Sequence, residues 1–294
     1  MPDREESPAY KLYNLLDSVF RRDFFQRVTP IILEGRGGSY ALNRLQDSKG
    51  DGCFMSALSM PSFFFLAKSG NSLYDADGIY PLAVIASIPN ALWVDEQSPL
   101  RDLDAFIEKA TAETAKIDSR FAIAGAGRQT DQHLATLQMN RATGLKIPYL
   151  PLLGVKECTE AVRNGLAAAC WGYAVPPEMM PGLKPLAVAA PTRSPVLPLV
   201  PTFFEARCDM QNIVLFGLAL PASSPENIRE KGLTELATAL KDADLRSKIT
   251  ALGFTIPAIT DPMPLLTLKE RQAALKLLDE YPLFPRGESL STVR

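Results

Sequence analysis

The 294-residue chain carries one histidine, two tryptophans and four cysteines, and these scarcities remove whole classes of chemistry. Cys53, Cys158, Cys170 and Cys208 are far apart and form no CxxC pair, which argues against a zinc site or a thioredoxin-type centre. Cys53 and Cys170 fall in apolar, strand-like runs, where a free thiol packs as a small hydrophobe, and all four cysteines are expected to be unpaired. A lone histidine, His133, leaves an acid–base enzyme short of its commonest group. No GxSxG, HExxH or GxxxxGK[ST] pattern occurs, so no enzyme class is nominated, and no cofactor or metal is expected.

Charge of either sign is not in excess: 31 basic against 33 acidic residues give a formal net charge of −2. Such a surface has no long-range field for a polyanion, and no basic cluster with interleaved aromatics compensates, which excludes nucleic acid as a general partner. No apolar run approaches the roughly 20 residues that span a bilayer, so direct membrane insertion is not expected. The segment from Met1 to Ser7 lacks the basic and apolar regions of an export signal; read as it stands, this start implies a cytoplasmic protein.

What is present is enough apolar sequence, 47% of residues, for two α/β domains. Leu12, Leu15, Leu16, Val19, Phe20, Phe24 and Phe25 recur at helical spacing and predict a helix over 9–28. A short strand at 30–33, a helix at 39–46 and a strand at 53–58 follow, an alternation that implies parallel βα units. Residues 79–94 form an apolar extended stretch longer than an ordinary strand, interrupted by Pro81 and Pro89. A capped helix opens at 98. Strands are expected at 147–150, 165–172, 186–190, 212–220 and 254–257, and helices at 155–164, 226–241, 245–252 and 265–279.

Residues 121–133, Phe-Ala-Ile-Ala-Gly-Ala-Gly-Arg-Gln-Thr-Asp-Gln-His, are the stretch around which the rest is arranged. A short apolar run ends at Gly125-Ala126-Gly127, and a helix begins within a few residues, with Thr130 and Asp131 as capping oxygens. Glycines let backbone approach a ligand, and the first-turn amides carry the positive end of the helix dipole, so the turn suits a carboxylate or phosphate. The same pattern also serves as an ordinary strand-to-helix turn. Arg128 is the expected ionic partner, unless it is solvated or paired with Asp131. Ser59 and Ser62 close the strand at 53–58 on the edge where open α/β sheets place ligands, although serines there also act as plain caps.

The order of landmarks resembles the substrate-binding proteins of tripartite tricarboxylate transporters, the Bug family, over about residues 7–283. The landmarks are Ala124-Gly125-Ala126-Gly127 with His133-Leu134, Ile147-Pro148-Tyr149, Gly165, Leu186-Ala187-Val188, Arg193-Ser194-Pro195, and Val200-Pro201-Thr202 with Glu205-Ala206. The resemblance implies a two-lobed, periplasmic-binding-protein-like type II fold, with parallel or mixed sheets, helices on both faces and a cleft between lobes. It implies lobe 1 at 1–97 plus 219–294, lobe 2 at 98–218, and crossings near 94–98 and 216–221. It further implies a periplasmic, monomeric, non-enzymatic protein that captures a small organic carboxylate for a membrane transporter or a sensor.

The ligand-binding set expected on this basis is Gly125, Ala126, Gly127, Arg128, Gln129, Thr130, Ser59, Ser62, Tyr149 and Trp171. Three departures from the family pattern stand out. The chain starts near the end of the family's first loop, so a first strand between those at 30–33 and 53–58 is expected to be missing. Trp171-Gly172 stands where a ligand-contacting acid is frequent, and Arg128 and Gln129 enlarge a turn that is usually small and polar. Ligand identity therefore does not transfer, and a truncated or repurposed relative acting as a sensor or interaction protein remains the alternative.

Overall fold

The computed structural model describes residues 7–23, 29–33, 38–68, 72–116 and 121–257, together with Gln272 and Lys276. The helix expected at 265–279 lies outside the described residues except at those last two positions. The chain begins with α1 (Pro8–Asp23) and α2 (Ser39–Gln46), then β1 (Ser56–Met60) and α3 (Ser62–Lys68). A single-turn 3-10 helix leads into β2 (Ile79–Asp95), which is followed by α4 (Leu103–Thr114), β3 (Ile123–Ala126) and α5 (Asp131–Thr143). After these come β4 (Tyr149–Leu152), α6 (Val155–Arg163), β5 (Ala169–Tyr173) and β6 (Leu183–Val188). β7 (Ile213–Pro221), α7 (Glu226–Ala239) and α8 (Ala243–Ala251) complete the described elements.

The strands run β1-β7-β2-β5-β3-β4, with β6 also paired to β2. The expectation of parallel βα units holds only for β3 with β4 and β5; β1–β7, β7–β2, β2–β5 and β2–β6 are antiparallel. The reason is β2 itself. Its first part, from Ile79 to Pro89, pairs with β7, and its second part, from Asn90, pairs with β5 and β6. One long strand thus belongs to both halves of the sheet, and its neighbours return beside it in the opposite sense. The strand expected at 53–58 forms later, as β1, while residues 29–33 have no regular secondary structure. The short strand expected at 254–257 reduces to one bridge between Ser87 and Thr255.

Burial follows the two periodicities. One apolar cluster runs along both halves, from Leu12 and Leu16 of α1 through Ile85, Ile88 and Trp93 of β2 to Phe216 and Phe254. A second fills the half built on β3 and β5, with Phe106, Phe121, Met139, Trp171 and Phe203. A third packs Leu42, Leu45, Leu58, Phe63 and Phe64 against the half built on β1. Each such aromatic or aliphatic side chain contributes about 1.5–3 kcal/mol by leaving water, so the halves are held mainly by these clusters. All four cysteines are free, with Cys53 exposed and the other three buried.

Candidate functional site: the turn between β3 and α5

β3 ends at Ala126, and after four turn residues α5 begins at Asp131. The turn is possible because Gly127 adopts φ +84°, and Gln129 is held at φ +61°, a region few side chains occupy. A Cβ on Gly125 would meet the Tyr149 hydroxyl at 2.5 Å, so only glycine lets that ring lie across the turn. Tyr149 Oη then donates to the Gly127 carbonyl at 2.7 Å, and its ring stacks on His133 with centroids 4.5 Å apart and planes 11° from parallel.

Several amides of the predicted cradle are already engaged. Ala126 N–H donates to Gln132 Oε1 at 2.6 Å, Gly127 N–H to the Leu152 carbonyl at 2.8 Å, and Gln129 N–H to His133 Nδ1 at 3.2 Å. Thr130 is the helix cap, its Oγ1 accepting from His133 N–H at 3.5 Å. The Gln129 side-chain amide, only 6% exposed, has no acceptor for Nε2 among the described residues. A buried donor left this way costs about 1–3 kcal/mol, which a bound acceptor would recover. Arg128 is exposed and reaches the turn as a charge.

Asp131, Asn90 and Asn212 were not singled out as ligand contacts from sequence, whereas Ser62 was. Ser62, first residue of α3, accepts the Asp131 amide at 2.8 Å and donates to its Oδ1 at 3.0 Å. Asn90 Nδ2, on β2 where that strand passes between the halves, donates to Oδ2 at 2.9 Å and to Asn212 Oδ1 at 2.7 Å. Asn212 Nδ2 in turn donates to Gln138 Oε1 at 2.8 Å. Two helix N-termini and Asn90 of β2 therefore meet on one carboxyl, while Asn212 is joined to it through Asn90 and the Asp131 backbone carbonyl. Burial raises its pKa, opposed by the Asn90 and Ser62 hydrogen bonds. The sign follows: an acid with a raised folded pKa loses stability as pH climbs above 3.8 through the folded value. A lone Asp after a cap residue gives no sequence signal for this, because its partners are 41 and 69 positions away.

His133 is neutral. Burial, reinforced by the Arg128 charge, lowers its pKa to about 4. Since Nδ1 accepts from Gln129, the ring proton belongs on Nε2, which makes the histidine a donor. Phe65 of α3 packs at 6.1 Å from the His133 ring and joins Leu134 in a small cluster of its own, so apolar contact also links the halves here.

Of the expected set, Gly125, Ala126, Gly127, Arg128, Gln129, Thr130 and Tyr149 come together at the turn, and Ser62 reaches it from the other half through Asp131. Ser59 lies on β1, partly buried, opposite Phe216 of β7. Trp171 is a core residue: it is packed with Phe203, and its indole N–H donates to Thr136 Oγ1 at 2.8 Å. Among the described residues no group of three or more His, Cys, Asp or Glu side chains could hold a metal ion, and no helix is long and apolar enough to cross a membrane.

Comparison with known proteins places this geometry. A protein from the tcbD-tcbE intergenic region of Pseudomonas sp. strain P51, classed as UPF0065, is 24% identical over 209 residues, which is 69% of this chain and 61% of that protein. Another UPF0065 protein, from the TAR-I ttuE-ttuC' intergenic region of Agrobacterium vitis, is 26% identical over 270 residues, 89% of this chain and 75% of the relative. The match thus spans about three fifths of the first relative's length. Among solved structures, MatC (Rpa3494) from Rhodopseudomonas palustris with bound malate superposes with TM-score 0.81 at 24% identity, over 95% of each chain. R. palustris Rpa4515 with adipate superposes with TM-score 0.83 at 20% identity, over 95% of this chain and 93% of that one. These likenesses show a shared periplasmic-binding-protein fold. Residues 26–261 match the family described as Tripartite tricarboxylate transporter family receptor, and the chain belongs to that family.

Proposed function

We propose that the chain is a solute-binding receptor that takes a small organic carboxylate at the turn between β3 and α5 and presents it to a tripartite tricarboxylate-type transporter. The observation that carries this reading is the Gln129 side-chain amide, buried without an acceptor at the N-terminus of a 13-residue helix. Arg128 supplies charge, the α5 dipole adds about 0.3–1 kcal/mol, and neutral His133 offers an Nε2 donor to a second oxygen. The Tyr149 ring lies across the turn and stacks on His133. Family membership and the malate and adipate bound by the two R. palustris proteins support a carboxylate over a phosphate.

Residues 1–97 with 219–294 form one lobe in this reading, and 98–218 the other. The Asp131 network then holds the lobes together close to the hinge, through Asn90 of β2 and Asn212 just ahead of β7. Binding without chemistry is the expected role, because the turn pairs no nucleophile with a base. A second reading has its own support. Phe65, only 1% exposed, packs with Leu134 between the halves, which suits a protein that stays closed and signals through contacts.

Melting the chain against a panel of four- to six-carbon dicarboxylates, their monocarboxylate counterparts and the corresponding diamides separates the two. A receptor is stabilised by at least one carboxylate in a concentration-dependent way and by no diamide. Stabilisation by neither class at millimolar ligand contradicts the receptor reading.

A further inference from the structure

An acidic residue that opens a helix ordinarily serves the unpaired amides of its own first turn. In α5 Thr130 does that work, and the Asp131 carboxylate is spent on residues far away in the chain. Asp131 is 5% exposed, and it accepts from Ser62 Oγ at 3.0 Å and from Asn90 Nδ2 at 2.9 Å, 69 and 41 positions earlier. Its backbone N–H, one of those a helix start leaves without an intrahelical partner, donates to the same Ser62 Oγ at 2.8 Å.

The contact continues at helical spacing. One turn on from Ser62 is Phe65, one turn on from Asp131 is Leu134, and these two form a buried cluster with Leu137 packed against it. A further turn along α5, Gln138 Oε1 accepts from Asn212 Nδ2 at 2.8 Å. One face of α5 is thereby committed to Ser62 and Phe65 of α3 and to Asn212 just ahead of β7. A carboxylate is costly to bury unless it is hydrogen-bonded, and the partners of this one are neutral donors rather than cations. Ser62 and Asn90 precede residue 98 and Asp131 follows it, so these bonds join the two proposed lobes. Gripping a carboxylate between lobes is what a two-lobed receptor does with a solute. Here the gripped carboxylate is the chain's own.

We propose that Asp131 is a tethered self-ligand: its carboxylate latches lobe 2 to lobe 1 through Ser62 and Asn90, so the chain closes on itself without solute, and a solute enters only when the latch parts. Residues at the ends of the connecting elements absorb the rotation. The latch rests on the two-lobe part of the receptor reading, and it withholds the Ser62 hydroxyl from a solute until the lobes separate.

The test uses the full chain in a buffer free of carboxylates. One spin label is placed on Cys53, the exposed native thiol of lobe 1, and one on Ala112→Cys, at an exposed position of α4 in lobe 2. Pulsed EPR then compares the label-to-label distance in the otherwise unaltered chain, in Ser62→Ala and in Asp131→Ala. The latch predicts one dominant distance in the first and a second distance, populated at least about tenfold more, in both variants. Amide exchange in the unaltered chain decides the matter even where a variant fails to fold. The Asp131 N–H is expected to exchange at least about tenfold more slowly than in a peptide of residues 127–143, and at least about tenfold faster than the amides of the β2 core, because it is released when the lobes part without global unfolding. Exchange at either of those two limits overturns the proposal, as does one unchanged distance in both variants. Lower melting of the variants at an unchanged distance marks a rigid junction and also overturns the latch, while the carboxylate reading stands. Since no solute is used, a chain stabilised by none of the carboxylates in the melting panel still passes or fails this test.

Discussion

His133 shows how far one side chain's state depends on its neighbours. Half-buried against Tyr149 and Phe65 and facing the Arg128 charge, it has its pKa lowered to about 4. A histidine with a depressed folded pKa stabilises the protein above the unfolded value of 6.5, and this contribution is lost as pH falls from 6.5 toward 4, by about 3 kcal/mol at most. Because the chain has one histidine, its ring protons are a single, unambiguous NMR signal. They are expected to titrate near pH 4; a midpoint near 6.5 contradicts the burial of the ring. Sequence reading found the turn through its glycines and Arg128, since backbone freedom and charge are local properties. It did not find the grip on Asp131, because Ser62, Asn90 and Asn212 become neighbours only when the sheet is assembled. Trp171 illustrates the converse. An aromatic beside a glycine at the end of a strand looks available, yet its indole is spent on Thr136 and its ring on the core.

β2 is the element that makes the fold. Its unusual apolar length was legible as a crossing stretch, but the direction of its neighbours was not, because hydrophobic runs specify burial without specifying strand sense. Pro81 and Pro89 fit because register shifts beside Pro81 and near Val84 relax the ladder, and because Pro89 stands where β2 changes partners. The β2–β7 contact leaves no room beside the second of those shifts, where Gly217 pairs with Val84: a Cβ on Gly217 would stand 2.4 Å from the Ala83 carbonyl oxygen. Gly217→Ala therefore forces backbone apart in a central strand pair and is expected to cost about 1–3 kcal/mol, read as a lower urea midpoint with an unchanged slope. A midpoint equal to that of the unaltered chain contradicts the close approach. Residues 30–33, expected as a strand, have no regular secondary structure: an apolar run favours burial, and it forms a ladder only where a partner edge stands beside it.

At the scale of the whole molecule, the class of fold and the family were the most legible features, since scattered landmarks at near-family spacing constrain the order of strands more firmly than any one of them does. What stayed hidden was how the two halves meet. Their junction is a buried polar network around Asp131 with an apolar contact at Phe65 and Leu134, and neither carries a local pattern. The same junction adjoins the turn proposed to bind carboxylate, so ligand entry and movement of the halves are coupled in this account. The most direct measurement is calorimetric titration of the best small carboxylate from the melting panel into the unaltered chain, Arg128→Ala and Gln129→Ala. The account predicts binding to the unaltered chain that weakens about tenfold without the arginine and about fivefold without the glutamine amide, as expected for one charged and one neutral hydrogen bond. Affinity unchanged in both variants would contradict the placement of the ligand at this turn.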